Sequence, residues 1–282
     1  MQIPFLKKLN IAFPKNNQKP IKNYMYTVKE CFSTEQIPDS KPSKKEQNNN
    51  PSKKEQNKSD YSNICIILDP GHAKSTAGKK SPYSLGKDLS QILPFEEWKF
   101  NREIVNLLQE KLTKYNFDTF VTTTSEMDGS CDVKLCERAT RGYNYVKKEK
   151  KEGIFISIHA NAYGYGDTWT SACGWSVYTT KCQNISDEFA EILYDEAEKV
   201  FKPLGKKLRM DRTDKDRDCE SNFTVIQQIE KLSSNKIPAV LIENFFYTNI
   251  EDTKYISSNK GKQDIANIIV NAILKYVESK KS

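Results

Sequence analysis

At 282 residues, with 37% hydrophobic and 29% charged side chains, the chain is long enough for one large domain or two small ones, yet too polar to be packed throughout. No window approaches eighteen uninterrupted apolar residues, which excludes a transmembrane helix. The net charge of +7 is uneven, because residues 1–60 hold 12 lysines against six acids and the rest is close to neutral.

The first section runs from Met1 to about Ser62. Its opening, Met1-Gln2-Ile3-Pro4-Phe5-Leu6-Lys7-Lys8, has no continuous apolar h-region and no small-residue cleavage site, so no secretory signal peptide is expected and the protein is read as made in the cytoplasm. Pro42-Ser43-Lys44-Lys45-Glu46-Gln47-Asn48 recurs letter for letter at 51–57, which is low complexity rather than a solenoid repeat. Such a stretch buries too little apolar surface to offset its ordering entropy, so residues 39–62 read as a flexible linker and residues 1–38 as a short segment of unassigned role. A basic arm is attracted to any polyanion, and its composition does not choose among them.

Beyond Tyr61 strand-like runs alternate with helical ones, the pattern of an α/β fold. Ile64–Leu68 reads as strand. Glu97–Tyr115 is helical, with Phe100, Ile104, Leu107, Leu108 and Leu112 in one stripe. Phe117–Thr123 is strand, Val133–Val146 helix, and Gly153–Ile158 and Gly174–Thr179 are strands. Ser186 is the expected N-cap of a helix reaching Phe201. The charged run Leu204–Asn222 shows no hydrophobic period and reads as a solvated loop of functional length. Phe223–Ile229 reads as strand, Ala239–Ile242 as strand, and Lys262–Val277 as the last helix. The expectation is a single domain over residues 63–282, with a central, mostly parallel sheet flanked by helices.

Seven cysteines at irregular spacing do not form a small disulfide scaffold. Cys65 falls within a strand and is expected in the core. Cys131 and Cys136 lack a second close pair to complete four zinc ligands, so reduced thiols are the reading.

The two histidines stand out. His72 ends Ile66-Ile67-Leu68-Asp69-Pro70-Gly71-His72, and His159 lies in Ile154-Phe155-Ile156-Ser157-Ile158-His159-Ala160-Asn161. Both follow a buried strand and sit at its carboxyl end, where open α/β sheets place their ligand crevice. A catalytic zinc site needs three protein ligands and an open position. Two imidazoles supply two, and a carboxylate at the start of the first long helix, Glu97 or else Glu96, is the candidate third. Pro238-Ala239-Val240-Leu241-Ile242-Glu243-Asn244 is built like the histidine strands but carries a glutamate. Burial there would raise the pKa of Glu243 toward that of a useful base; its competing role is to cap a nearby backbone N–H.

Leu68-Asp69-Pro70-Gly71-His72, Glu97 with Asn101, Ser157-Ile158-His159-Ala160-Asn161, and Val240-Leu241-Ile242-Glu243-Asn244-Phe245-Phe246 with Asn249 resemble, in order, the motifs of the zinc-dependent N-acetylmuramoyl-L-alanine amidases of bacterial autolysins and phage endolysins. Leu135-Cys136-Glu137-Arg138 resembles the Leu-x-x-Arg helix start of that family. The likeness covers about Asn63 to Tyr276. It departs after Val121-Thr122-Thr123-Thr124, where a common arginine is missing, and in the longer stretch between Gly78 and Pro94. The resemblance implies His72, Glu97 and His159 as Zn2+ ligands, Glu243 as the catalytic group, and peptidoglycan as substrate. It implies metal-assisted hydrolysis of the muramoyl–L-alanine amide, with Glu243 carrying the proton from water to the leaving amine. No nucleic acid and no organic cofactor is called for. The basic segment would serve as a docking arm for an anionic wall polymer or a virion component. The competing readings are a zinc peptidase on stem peptides and a non-catalytic wall-binding or virion protein on the same fold.

Overall fold

The computed structural model describes residues 60–82, 94–181, 183–213 and 215–281. The expected N-terminal segment 1–38, and the linker 39–62 apart from its last three residues, lie outside them. Six strands form one sheet among the described residues: β1 Ile64–Pro70, β2 Asp118–Val121, β3 Glu152–Asn161, β4 Ser176–Thr179, β5 Cys219–Glu220 and β6 Ala239–Phe246, in the order β2-β1-β3-β6-β4-β5. All neighbours are parallel except β4 and β6. The helices are α1 Glu97–Thr113, α2 Leu135–Glu149, α3 Ile185–Phe201, α4 Thr224–Ser233, α5 Ile250–Ser257 and α6 Asn259–Ser279. No described helix is long and apolar enough to cross a membrane.

The sheet is covered on both faces, which is why its central strands are apolar runs rather than alternating ones. Successive side chains still point to opposite faces. Ile64, Ile66 and Leu68 of β1 join the core formed with α1, α3 and α6. Cys65 and Ile67 face the smaller core that holds Ala139 and Val146 of α2 and Val225, Ile226 and Ile229 of α4. Cys65 is a fully buried core thiol, and burial pushes its pKa up to about 12, with Asp118 adding to the shift. The stripe on α1 is the expected one: Phe100, Ile104, Leu108 and Leu112 are buried, and Leu107 is partly so.

Phe223–Ile229 is not a strand. Thr224–Ser233 is helical, with Ile229 buried three residues after Ile226 and four after Val225, both also buried, and Gln227 exposed. The β-branched residues suggested a strand, but the period of their burial is helical, and packing on α2 overrides propensity. Asn184, not Ser186, caps α3: its side chain accepts from the Ser186 N–H, and Asp187 answers with a capping box. The short α5 was not anticipated. Asn249 caps it, and its Asp252 accepts from the backbone N–H of Gly174 at 2.8 Å and of Phe246 at 3.2 Å, tying the end of β6 to the approach to β4. The run 204–222 is less solvated than its charges suggest. Leu208 bridges to Trp175, β5 extends the sheet, and Asp218 is fully buried.

Candidate functional site

Three strands deliver the candidate residues to one end of the sheet. β1 ends at Pro70, and the chain turns through Gly71 into His72, which holds a left-handed φ of 59°. That turn is pinned from below. Asn101 Nδ2 donates to the Gly71 carbonyl at 3.1 Å, and Arg102 donates to the His72 carbonyl at 2.8 Å. β3 carries His159, and β6, parallel to it, sets Glu243 directly in register with His159. The register then slips between His159 and Asn161. Such bulges bend a strand and re-aim its side chains, and they concentrate beside active sites. Both strands run on past their candidate residues, β3 to Asn161 and β6 to Phe246, so neither His159 nor Glu243 is terminal as expected. Asn244 fastens the pair. Its Nδ2 donates to the His159 carbonyl and its Oδ1 accepts from the Trp175 indole, each at 3.0 Å.

Glu97 enters from the first turn of α1 and is buried. One of its oxygens, Oε1, lies 3.0 Å from His159 Nδ1, 3.4 Å from His72 Nε2 and 3.2 Å from the Ala160 N–H. The imidazoles meet edge-on, with centroids 4.8 Å apart and planes at 89°. One ligand atom from each of His72, Glu97 and His159 falls within 4.8 Å of the other two. Glu96 points elsewhere, pairing with Lys80 at 3.1 Å.

Electrostatics separates the two histidines. Burial lowers the pKa of His72 to about 4, and the Glu97 carboxylate only partly opposes it. Burial also works against a charged His159, but its hydrogen bond and charge interaction with Glu97 prevail and its pKa is raised. Burial disfavours the Glu97 carboxylate; His159, His72 and Lys79 outweigh it and its pKa is lowered. The residues fit a metal ion. Two ring nitrogens converge on a carboxylate whose second oxygen, Oε2, is buried without a hydrogen-bond partner, 3.7 Å from the Lys79 ammonium. Two imidazoles and a carboxylate are a zinc donor set.

Glu243 has a different setting. Its Oε2 is buried with no hydrogen-bond partner, which does not favour the capping role. Burial pushes its carboxyl up to about 7; His159 and Lys79 pull it down and Glu97 adds to the rise. Glu243 lines a pocket of about 290 Å³ with Lys79, Asn161, Tyr165 and Tyr247. A larger groove, about 780 Å³, opens instead beside Asn63, Gly153 and Pro238, at the amino ends of the strands and away from this chemistry.

Lys79 went unread in the sequence, and Asp69 and Arg138 were read only as members of motifs, with no role assigned. Lys79 lies in no periodic segment. Asp69, fully buried, accepts from Thr122 at 2.6 Å and Ser157 at 2.7 Å and pairs with Arg138 at 3.3 Å, while Arg138 also donates to the Pro70 carbonyl. These bonds join β1, β2, β3 and α2 beneath the His72 turn, and only the assembled sheet reveals them. Cys131 and Cys136 are both exposed and free, and neither belongs to a metal-binding group among the described residues.

Gly71 is required by space. A Cβ built there would fall 2.1 Å from Cε1 of His159. Gly71→Ala should therefore displace that imidazole, costing about 1–3 kcal/mol of stability together with metal affinity. Metal stoichiometry and a melting curve check this; full occupancy in the variant would show that the ring has room to move.

The family model described as N-acetylmuramoyl-L-alanine amidase matches residues 66–275. The chain is 26% identical over 254 residues to N-acetylmuramoyl-L-alanine amidase AmiA of Salmonella typhimurium, covering 78% of each chain. It is 22% identical over 248 residues to AmiC of Neisseria meningitidis serogroup B, covering 76% of this chain and about half, 53%, of that one. Among solved structures, an N-acetylmuramoyl-L-alanine amidase from Clostridium difficile 630 shares the fold with a TM-score of 0.57, at 24% identity over 79% of this chain and 99% of that one. The family match begins within β1, ends within α6, and takes in every residue gathered at the carboxyl ends of the strands. The chain belongs to the N-acetylmuramoyl-L-alanine amidase family.

Proposed function

We propose that the protein hydrolyses the amide between the lactyl group of N-acetylmuramic acid and L-alanine in peptidoglycan, as a zinc-dependent amidase. Family membership supports the bond, and the convergence of His72, Glu97 and His159 supports the metal. In this reading those three residues hold zinc. The bound ion would supply Lewis acidity toward the amide carbonyl and acidify water. The hydrogen bond from His159 and the nearby Lys79 ammonium hold Glu97 ionised as a ligand against its burial.

Glu243 is the general base, and the observation that carries the assignment is its placement. It stands in register with His159, faces the pocket, and has a carboxyl raised to about 7 by burial. A carboxyl near the working pH can accept the proton of water and return it to the leaving amine of L-alanine. A divalent cation held by the neighbouring ligands would lower that pKa by its charge and favour the basic form. In the same reading, residues 63–282 form the catalytic domain. The basic segment before it is a docking arm for an anionic wall polymer or a virion component, and the site of action is the cell wall. An autolysin and a lytic endolysin both require this chemistry.

Product analysis on purified peptidoglycan tests the bond. Digestion should create new free N-terminal L-alanine, and chelation should abolish it. Cleavage inside the stem peptide, with muramoyl–L-alanine bonds intact, would replace the amidase by a peptidase. Wall binding without hydrolysis in zinc-loaded protein would leave a binding module.

A further inference from the structure

The start of α3 and the segment between α3 and α4 carry a second group of carboxylates that shares no residue with the His72 site. Asp218, just before β5, is fully buried. One of its oxygens accepts a hydrogen bond from the Thr179 hydroxyl at the end of β4. The other, Oδ1, is closed off from solvent and has no hydrogen-bond partner. A buried carboxylate left this way is costly unless something positive faces it. Arg217, its neighbour in sequence, is turned to Glu191, Asp195 and Glu198. What faces Asp218 is more negative charge. One oxygen each from Asp187, Asp216 and Asp218 lies within 4.8 Å of the other two. Burial, with the charges of Asp216 and Asp187, pushes the Asp218 carboxyl up to about 7 against the Thr179 hydrogen bond.

We propose that Asp187, Asp216 and Asp218 bind a hard divalent cation of the calcium type, distinct from the metal at His72. The donors are all carboxylate oxygens, with no imidazole or thiolate, a set that favours calcium or magnesium over zinc. Three protein carboxylates on one ion suit calcium better than magnesium, which keeps several waters and is usually held by only one or two carboxylates. The ion explains the bare Oδ1 and the crowding of like charges together.

Its place in the fold gives it a task. Asp187 stands in the first turn of α3, where its capping box with Asn184 already orders the helix start. Asp216 and Asp218 lead into β5, which pairs with β4, and β4 pairs with β6 through Ser176 and Glu243. A cation at this point fastens the 204–222 segment to the edge of the sheet that carries Glu243. The rival is a neutral, protonated Asp218 that needs no ion.

The test uses the full chain, freed of metals on a chelating resin and resupplied with zinc. Calcium chloride is then titrated calorimetrically and in melting curves, with magnesium chloride in parallel. One saturable calcium site is expected, raising Tm by about 5–10 °C when calcium stands at about a hundredfold its Kd. Asp216→Asn, at a partly exposed position, should keep the calcium-free melting temperature and weaken calcium binding at least about tenfold. Asp218→Asn should do the same to binding, whereas His159→Ala should leave it intact. No heat and no shift in Tm at about 10 mM calcium, above the weakest range of protein calcium sites, would overturn the proposal. Calcium binding as tight as the wild type's in both asparagine variants would overturn it as well, and Asp218 would then be a buried neutral acid.

Discussion

Glu243→Gln is expected to lower kcat by about 10²–10⁴-fold, the range a positioned proton carrier contributes, while the protein keeps its metal and its fold. Glutamine matches the shape of the side chain and removes only its ability to ionise. In the metal-free protein burial pushes the carboxyl it replaces up to about 7, within reach of both of its forms. A buried carboxyl with a raised pKa is stabilised in its neutral form, so its contribution to folding is present below the unfolded value of about 4.3. That contribution is lost as the pH climbs through the folded value of about 7. The metal-free variant should therefore melt no lower than the metal-free wild type at pH 8. Activity and stability move apart in this prediction. A capping role would instead show stability falling with kcat intact, and that result would remove Glu243 from the reaction.

The candidate residues on the strands, His72, His159 and Glu243, were legible in the sequence because each rides on a strong local signal. Ile66–Leu68, Ile154–Ile158 and Val240–Ile242 are apolar on both faces of a parallel sheet, and a polar residue following such a run is conspicuous. The choice between Glu96 and Glu97 was not local. It depends on which carboxylate the first turn of α1 turns inward, and only Glu97 is buried against the histidines. The misreading of Phe223–Ile229 has a similar origin. Val225, Ile226 and Ile229 are compatible with a strand by composition, and the helix is decided by packing on α2. The Asp69–Thr122–Ser157–Arg138 bonds span four elements, and the Asp187–Asp216–Asp218 group joins a helix start to a loop. Neither has a spacing that a linear reading can follow. The charged segment 204–222 shows the cost of this. Alternating charges read as solvated surface, yet Asp218 and part of Arg217 are sequestered there by partners distant in the chain.

His159→Ala is expected to reduce metal affinity by more than the ~10–100-fold carried by outer-sphere partners, and to take hydrolysis with it. The argument starts from protons. Metal ligands must be deprotonated, so uptake competes with whatever holds a proton on the ring. His72 is already neutral at physiological pH, its pKa lowered to about 4 by burial. His159 is shifted the opposite way, since Glu97 favours its protonated form. Zinc uptake by the wild type should therefore release a proton from His159, and affinity should fall as the pH drops through its raised pKa. In the metal-free protein the signs are reversed. The stabilisation from protonated His159 is complete below about 6.5 and is lost as the pH rises through the folded value. That from Glu97, whose pKa is lowered, is present above about 4.3 and is lost as the pH falls through its folded value. The His159–Glu97 pair should thus stabilise the chelated protein most between these limits, and its share of Tm should be lost as the pH rises through the raised pKa of His159, where zinc restores most. Calorimetric titrations in buffers of different ionisation enthalpy measure the proton directly. Unaltered zinc affinity in the alanine variant would place the metal away from this ring. Release of the same proton by that variant would assign the titration to another group, leaving the Glu97–His159 contact as an ion pair that serves the fold alone.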